Sequence, residues 1–132
     1  MNGAAATNVE VNVALWIVSI GMGFAFAIAG VTKLVASKKS LTLRGASWIK
    51  DFSPRTVKFV GLTEIMGGLA IILPPVMDIP SRLVLLAGIA GLIVVMLGAA
   101  VVHARLRESG MILLNLVLLA FAAVALWDRR SY

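Results

Sequence analysis

Cysteine is absent from this chain of 132 residues, and charge is scarce, with only 14% of residues Asp, Glu, Lys or Arg. The first absence excludes a CxxC redox centre, a thiolate metal site and a disulfide framework. The second sets the chain apart from soluble domains, in which about a quarter of residues are charged. Acids are rarer than bases, six against twelve, and there is a single histidine. One histidine rules out a bis-histidine haem held within the chain, and beside one deep acid it makes a poor metal site by ligand count. No nucleophile elbow, phosphate loop or haem motif is present. No basic residue precedes the first apolar run, and Ala4-Ala5-Ala6 lies before that run, so no cleaved secretory signal peptide is predicted.

What remains is largely apolar: 61% of residues are hydrophobic and the mean hydropathy is +1.02. Four apolar stretches, at about residues 11–35, 54–73, 80–103 and 110–127, take up most of the length. The shorter ones approach the roughly 18–20 residues needed to cross a hydrocarbon core. The expected fold is therefore all-α: a four-helix transmembrane bundle of up-down topology, in one domain spanning residues 1–132. Ser53-Pro54 starts the second span, with Ser as N-cap and Pro at the first helical position; Pro74-Pro75 is predicted to end it, and Asp78 to cap the third. No length is left for a separate soluble catalytic domain.

The formal charge of +6 invites a nucleic-acid reading. The bases, however, sit in short segments between apolar runs with no interleaved stacking aromatics, so they are assigned to topology and anionic lipid contact instead. Lys33, Lys38, Lys39, Arg44, Lys50, Arg55, Lys58, Arg105 and Arg107 flank the first and third connections; Arg82, Arg129 and Arg130 lie on the other side. Nine against three places the first and third connections in the cytoplasm and both termini outside. Within the first connection Leu41, Trp48, Ile49 and Phe52 share a helical face. A short amphipathic helix lying in the interface is predicted there, with Trp48 as its head-group anchor; the alternative is a plain polar loop.

In lipid, helices associate through close backbone approach and interhelical polar contacts. Gly21, Ala25 and Ala29 repeat every four residues on span one and lead to Lys33. Span two offers Gly61, Gly67 and Gly68, span three Gly88, Gly91 and Gly98, and span four Ala122, Ala123 and Ala125.

The polar residues are the candidate site. Glu64 stands in an otherwise apolar run, where an acid at mid-helix costs roughly 2.5–3.5 kcal/mol by insertion measurements. It follows Lys58 by six residues, about 9 Å of helix rise. Up-down topology brings Lys33, His103 and Asn115 towards the same half of the bundle, with Thr32 and Thr63 as nearby hydroxyls. Glu64 can pair with Lys33 or His103, and Asn115 can donate to it or to a ligand carbonyl. These four are the ligand-binding or proton-handling candidates. Each also has a plain structural role available: a snorkelling Lys33, a boundary His103, an Asn115 tying helices, and a Glu64 salt bridge.

Ala29-Gly30-Val31-Thr32-Lys33-Leu34 resembles the segment that ends the first helix of DoxX-like membrane proteins. Gly61-Leu62-Thr63-Glu64-Ile65-Met66-Gly67-Gly68-Leu69 resembles the GxxExxGG segment of their second helix, and His103-Ala104-Arg105 the end of their third. The resemblance covers roughly residues 12–127. It implies a compact four-helix bundle, in bacteria in the inner membrane, and founding members associated with quinone-linked oxidation such as thiosulfate:quinone oxidoreductase. Related thiol-redox membrane proteins use cysteines, which this chain lacks. The expectation is a small integral membrane subunit of a larger complex, linked to quinone-dependent oxidoreduction and not catalytic alone. No covalent cofactor is expected; the candidate ligands are a quinone or a lipid, and the partners are membrane lipids with a larger complex or further copies of the chain. The alternatives are a purely structural assembly subunit and a small lipid or small-molecule carrier.

Overall fold

The computed structural model describes residues 3–77 and 82–129. Among them every regular element is helical. Helix α1 spans Gly3–Val35, α2 Lys38–Leu43, a 3-10 turn Ser47–Asp51, α3 Pro54–Val76, α4 Arg82–Arg105 and α5 Ser109–Arg129. Among the described residues three apolar segments are long enough to cross a membrane: Glu10–Val35, Pro54–Leu73 and Leu86–Arg105. Helix α5 carries a shorter apolar stretch, Ser109–Val124. The predicted Asp78 cap and the start of the third span at residue 80 lie outside the described residues.

Helix α3 begins as its sequence dictates, with the Ser53 hydroxyl accepting from the Thr56 backbone N–H at 3.2 Å and Pro54 in the first turn. It does not end at Pro74-Pro75. The helix continues through both prolines to Val76, and the Met77 N–H donates to the Leu73 carbonyl at 2.9 Å. Proline removes a donor, but its fixed φ is helical, so two of them near a terminus weaken the last turn without ending it.

Helix α1 packs on α3, α3 on α4, and α4 on α5, with a lighter contact closing α5 onto α1. The α1–α3 seam is a pair of backbone approaches. Gly23 faces Gly68 and Gly30 faces Gly61, which makes the two helices antiparallel. A Cβ on Gly61 would stand 2.7 Å from the Gly30 carbonyl oxygen, and one on Gly30 would collide with the Gly61 carbonyl. Neither seam can admit a side chain.

This is not the stripe that four-residue spacing predicts. Gly21 has open space around it and Ala25 is exposed. Steps of four residues wind about 40° further round the helix each time, whereas seven residues nearly return to the same face. The contact therefore follows Gly23 and Gly30. On α4, Gly88 meets Ala70 of α3, and Leu92 lies against Gly67; Gly91 and Gly98 face open space. Met22, Phe26, Ile71, Ile89, Leu92, Met96 and Ala122 fill the centre. Most other large apolar side chains, among them Ile17, Ile28, Met66, Val94 and Leu113, are exposed, as lipid-facing positions would be.

The first connection is neither a single surface helix nor a plain loop. Helix α2 ends in a Schellman turn: the Ala46 N–H donates to the Leu41 carbonyl and the Gly45 N–H to Thr42, both at 3.1 Å, with Gly45 at φ +95°. That left-handed position favours glycine, and it breaks the amphipathic pattern in two. Leu41, Ile49 and Val57 bury together, flanked by Ala36, Ala46, Trp48 and Phe52. Trp48 is half-buried, edge-on to Phe52 with ring centroids 5.7 Å apart. Lys38 Nζ donates to the Lys50 carbonyl at 3.0 Å and closes the segment. The apolar face predicted to meet lipid instead makes the small core of a folded cap.

The seam makes a direct prediction. Gly30→Ala should destabilise the protein in detergent by about 2 kcal/mol, because backbone must move to admit the methyl. Gly21→Ala, at the open position, should stay within about 0.5 kcal/mol of the parent, as read by denaturant unfolding.

Candidate functional site

Backbone contact at Gly30–Gly61 sets up a largely buried ion pair between α1 and α3. Lys33 lies one turn beyond Gly30, with its Cβ close over Gly61, and Glu64 lies one turn beyond Gly61. The Lys33 ammonium donates to both carboxylate oxygens, at 2.7 Å to Oε2 and 3.0 Å to Oε1. The side chains are 16% and 9% exposed. Pairing removes the net charge that would otherwise sit in the apolar layer. Both carboxylate oxygens accept from one partner, while the ammonium has a third N–H beyond its two bonds to Glu64.

The other candidates are placed elsewhere. Asn115 donates to the Met111 carbonyl of its own helix at 2.9 Å. Thr32 donates to Ile28 at 2.8 Å and Thr63 to Val60 at 2.7 Å, each within its helix. These short polar side chains satisfy themselves on nearby carbonyls, the usual outcome for such residues in a helix. Of the four-residue constellation, the structure joins Lys33 to Glu64 and gives His103 and Asn115 other partners.

His103 is buried, and its Nδ1 lies 2.6 Å from Glu108 Oε2. The chain turn explains this pairing. Helix α4 ends in a second Schellman turn, with the Glu108 N–H on the His103 carbonyl at 3.0 Å and the Arg107 N–H on Ala104 at 3.2 Å. Arg107 occupies the left-handed position at φ 58°. In such turns the residue after the left-handed one folds back on the residue five before it, commonly as an apolar contact. At α2 that contact is Ala46 with Leu41; at α4 it is Glu108 with His103. The second oxygen of Glu108 accepts from the Ser47 hydroxyl of the cap. Ser47 and Glu108 are site residues that the sequence does not announce. The Schellman residue here is arginine rather than glycine, so the motif that brings Glu108 back has no visible signature.

The Ser47 hydrogen bond, then the His103 contact, hold the Glu108 carboxyl below its ordinary value. Two polar ties thus stand on one end of the molecule: Lys33–Glu64 between α1 and α3, and His103–Glu108–Ser47 between α4 and the cap. Comparison with known families places this arrangement. A model describing the DoxX-like family matches residues 17–125. The chain belongs to the DoxX-like family. The match covers both ties, since Lys33, Ser47, Glu64, His103 and Glu108 all fall within it. With three helices of membrane-crossing length, this DoxX-like chain is a small integral membrane protein. No curated protein and no solved structure matches it.

Each tie can be tested by removing one side. Lys33→Met should cost about 3 kcal/mol in detergent unfolding, because it strands the Glu64 carboxylate; Lys33→Met with Glu64→Leu should recover most of that loss. For Glu108 the sign follows from its lowered pKa: the folded state is favoured above the ordinary carboxyl value of 4.5, and that gain is lost as pH falls through the lower folded value. The difference in melting temperature between the parent and Glu108→Gln should therefore shrink as pH is lowered below 4.5.

Proposed function

We propose that the chain is a four-span, up-down membrane subunit that acts by packing within a larger membrane complex, with both termini outside and the cap on the cytoplasmic side. The observation that carries this reading is the closed Lys33–Glu64 pair. Both oxygens of the deep acid are taken by one ammonium from the neighbouring helix. A carboxylate in that state fixes the register and rotation of α1 against α3, which is the work of a helix lock. Charge asymmetry in the connections supports the orientation. The helix order supports the up-down path, since α1–α3 and α3–α4 are both antiparallel by their glycine contacts. The fourth span in this reading is α5, which crosses with a shorter apolar stretch.

One further observation favours a ligand at the same place. Lys33 keeps one N–H beyond its two bonds to Glu64, and its side chain is 16% exposed. A quinone carbonyl is an acceptor that such a donor can meet. In this second reading the subunit contacts a quinone beside Glu64, while the electrons pass through a partner's redox centre.

The two readings diverge on Glu64→Gln. As a helix lock, the variant yields less assembled complex after mild-detergent purification from native membranes, and what assembles turns over at the parental rate. As part of a quinone site, it assembles normally and loses co-purifying quinone. Purification of the parent as a lone protein, with neither partner nor quinone, would refute both.

A further inference from the structure

One end of the molecule gathers cations that its own acids do not answer. Lys39, Arg44, Lys50, Arg55 and Lys58 are exposed on the cap and the start of α3, and Arg105 and Arg107 are exposed around the α4–α5 turn. The Ser47–Glu108 hydrogen bond joins these two segments, so the seven cations share one end. Glu108 is already engaged by Ser47 and His103, which leaves Asp51 as the exposed acid of the cap. Among the described residues the ion pairs are Lys33–Glu64 and His103–Glu108, and neither involves any of the seven. Lys38 is occupied differently, on the Lys50 carbonyl, where it closes the cap and holds the neighbouring cations at set spacings.

Apolar groups lie within the same patch. Leu43, beside Arg44, is 78% exposed, and Phe59, beside Lys58, is 66% exposed. A soluble acidic protein would answer the cations and leave these side chains in water. The boundary of a bilayer answers both, because phosphates lie directly over acyl chains there. We propose that the cap and the α4–α5 turn form a docking surface for the phosphate head groups of anionic phospholipids in the leaflet that holds this end of the bundle. The inference rests on the membrane-spanning reading but not on which leaflet is cytoplasmic. It assigns the unpaired cations a ligand.

The test uses the full chain reconstituted in phosphatidylcholine vesicles containing a trace of spin-labelled phosphatidylglycerol or spin-labelled phosphatidylcholine. The motionally restricted fraction of each label reports lipid held at the protein surface. The parent should hold phosphatidylglycerol about threefold more strongly than phosphatidylcholine, with the preference falling at high salt. In Lys39→Gln/Arg44→Gln/Lys50→Gln the preference should drop towards unity. These side chains make no contact that the cap needs, since Lys38 uses the backbone of Lys50; an unchanged melting temperature in phosphatidylcholine checks that the variant is folded. Equal affinity for the two lipids in the parent, or an undiminished preference in the triple variant, would overturn the proposal. So would loss of an acidic co-purifying protein with the lipid preference intact, which assigns the cations to a protein instead. A restricted component missing for both labels sinks the membrane reading itself, and the proposal with it.

Discussion

Two backbones touch where Gly30 of α1 meets Gly61 of α3, and the polar chemistry of this chain follows from that contact. A lysine ammonium and a carboxylate in an apolar layer are each costly alone, and they offset one another only at hydrogen-bond distance. Lys33 and Glu64 lie one turn to either side of the glycine contact, because the helices are antiparallel, and the lysine side chain reaches back over Gly61 to the acid, so the close approach determines whether they can meet. A methyl group at either glycine forces the helices apart. Glycine packing and ion pairing are therefore one interaction, with the van der Waals seam supplying the geometry that the charges require.

The opposite flank of the same end is organised by turns rather than by helix contact. Two Schellman motifs, after α2 and after α4, each return the chain onto the helix it has just left. The first closes over leucine and alanine and makes an apolar cap. The second closes over histidine and glutamate, and its remaining acceptor takes the Ser47 hydroxyl. One motif with two side-chain chemistries thus yields a small core in one place and a polar bridge in the other.

Much of this arrangement was legible in the residues. Apolar runs locate the helices because lipid-crossing segments have a length set by the bilayer. Ser53-Pro54 marks a helix start through mechanisms confined to three residues. Lys33 and Glu64 stand out because charge is rare around them, and their motifs resemble the DoxX-like pattern that the family match bears out. What failed to show depended on geometry between distant positions. Four-residue spacing pointed to Gly21 and Ala25, but the helix crossing selects Gly23 and Gly30, which are related by seven. Asn115 satisfies its amide on the Met111 carbonyl of its own helix rather than on a neighbouring one. The bond from Ser47 to Glu108 depends on a left-handed arginine, for which sequence carries no marker.

That last bond has a consequence for the order in which the protein is made. Lys33 and Glu64 are separated by 31 positions, so their contact becomes available as soon as the second apolar helix follows the first into the bilayer. Ser47 and Glu108 are separated by 61, and Glu108 is synthesised only after α4. Until then the cap is held to α3 through Val57 but has no polar tie to the α4–α5 turn. The Lys33–Glu64 contact thus needs only the first two apolar helices, whereas the Ser47–Glu108 contact needs the third as well.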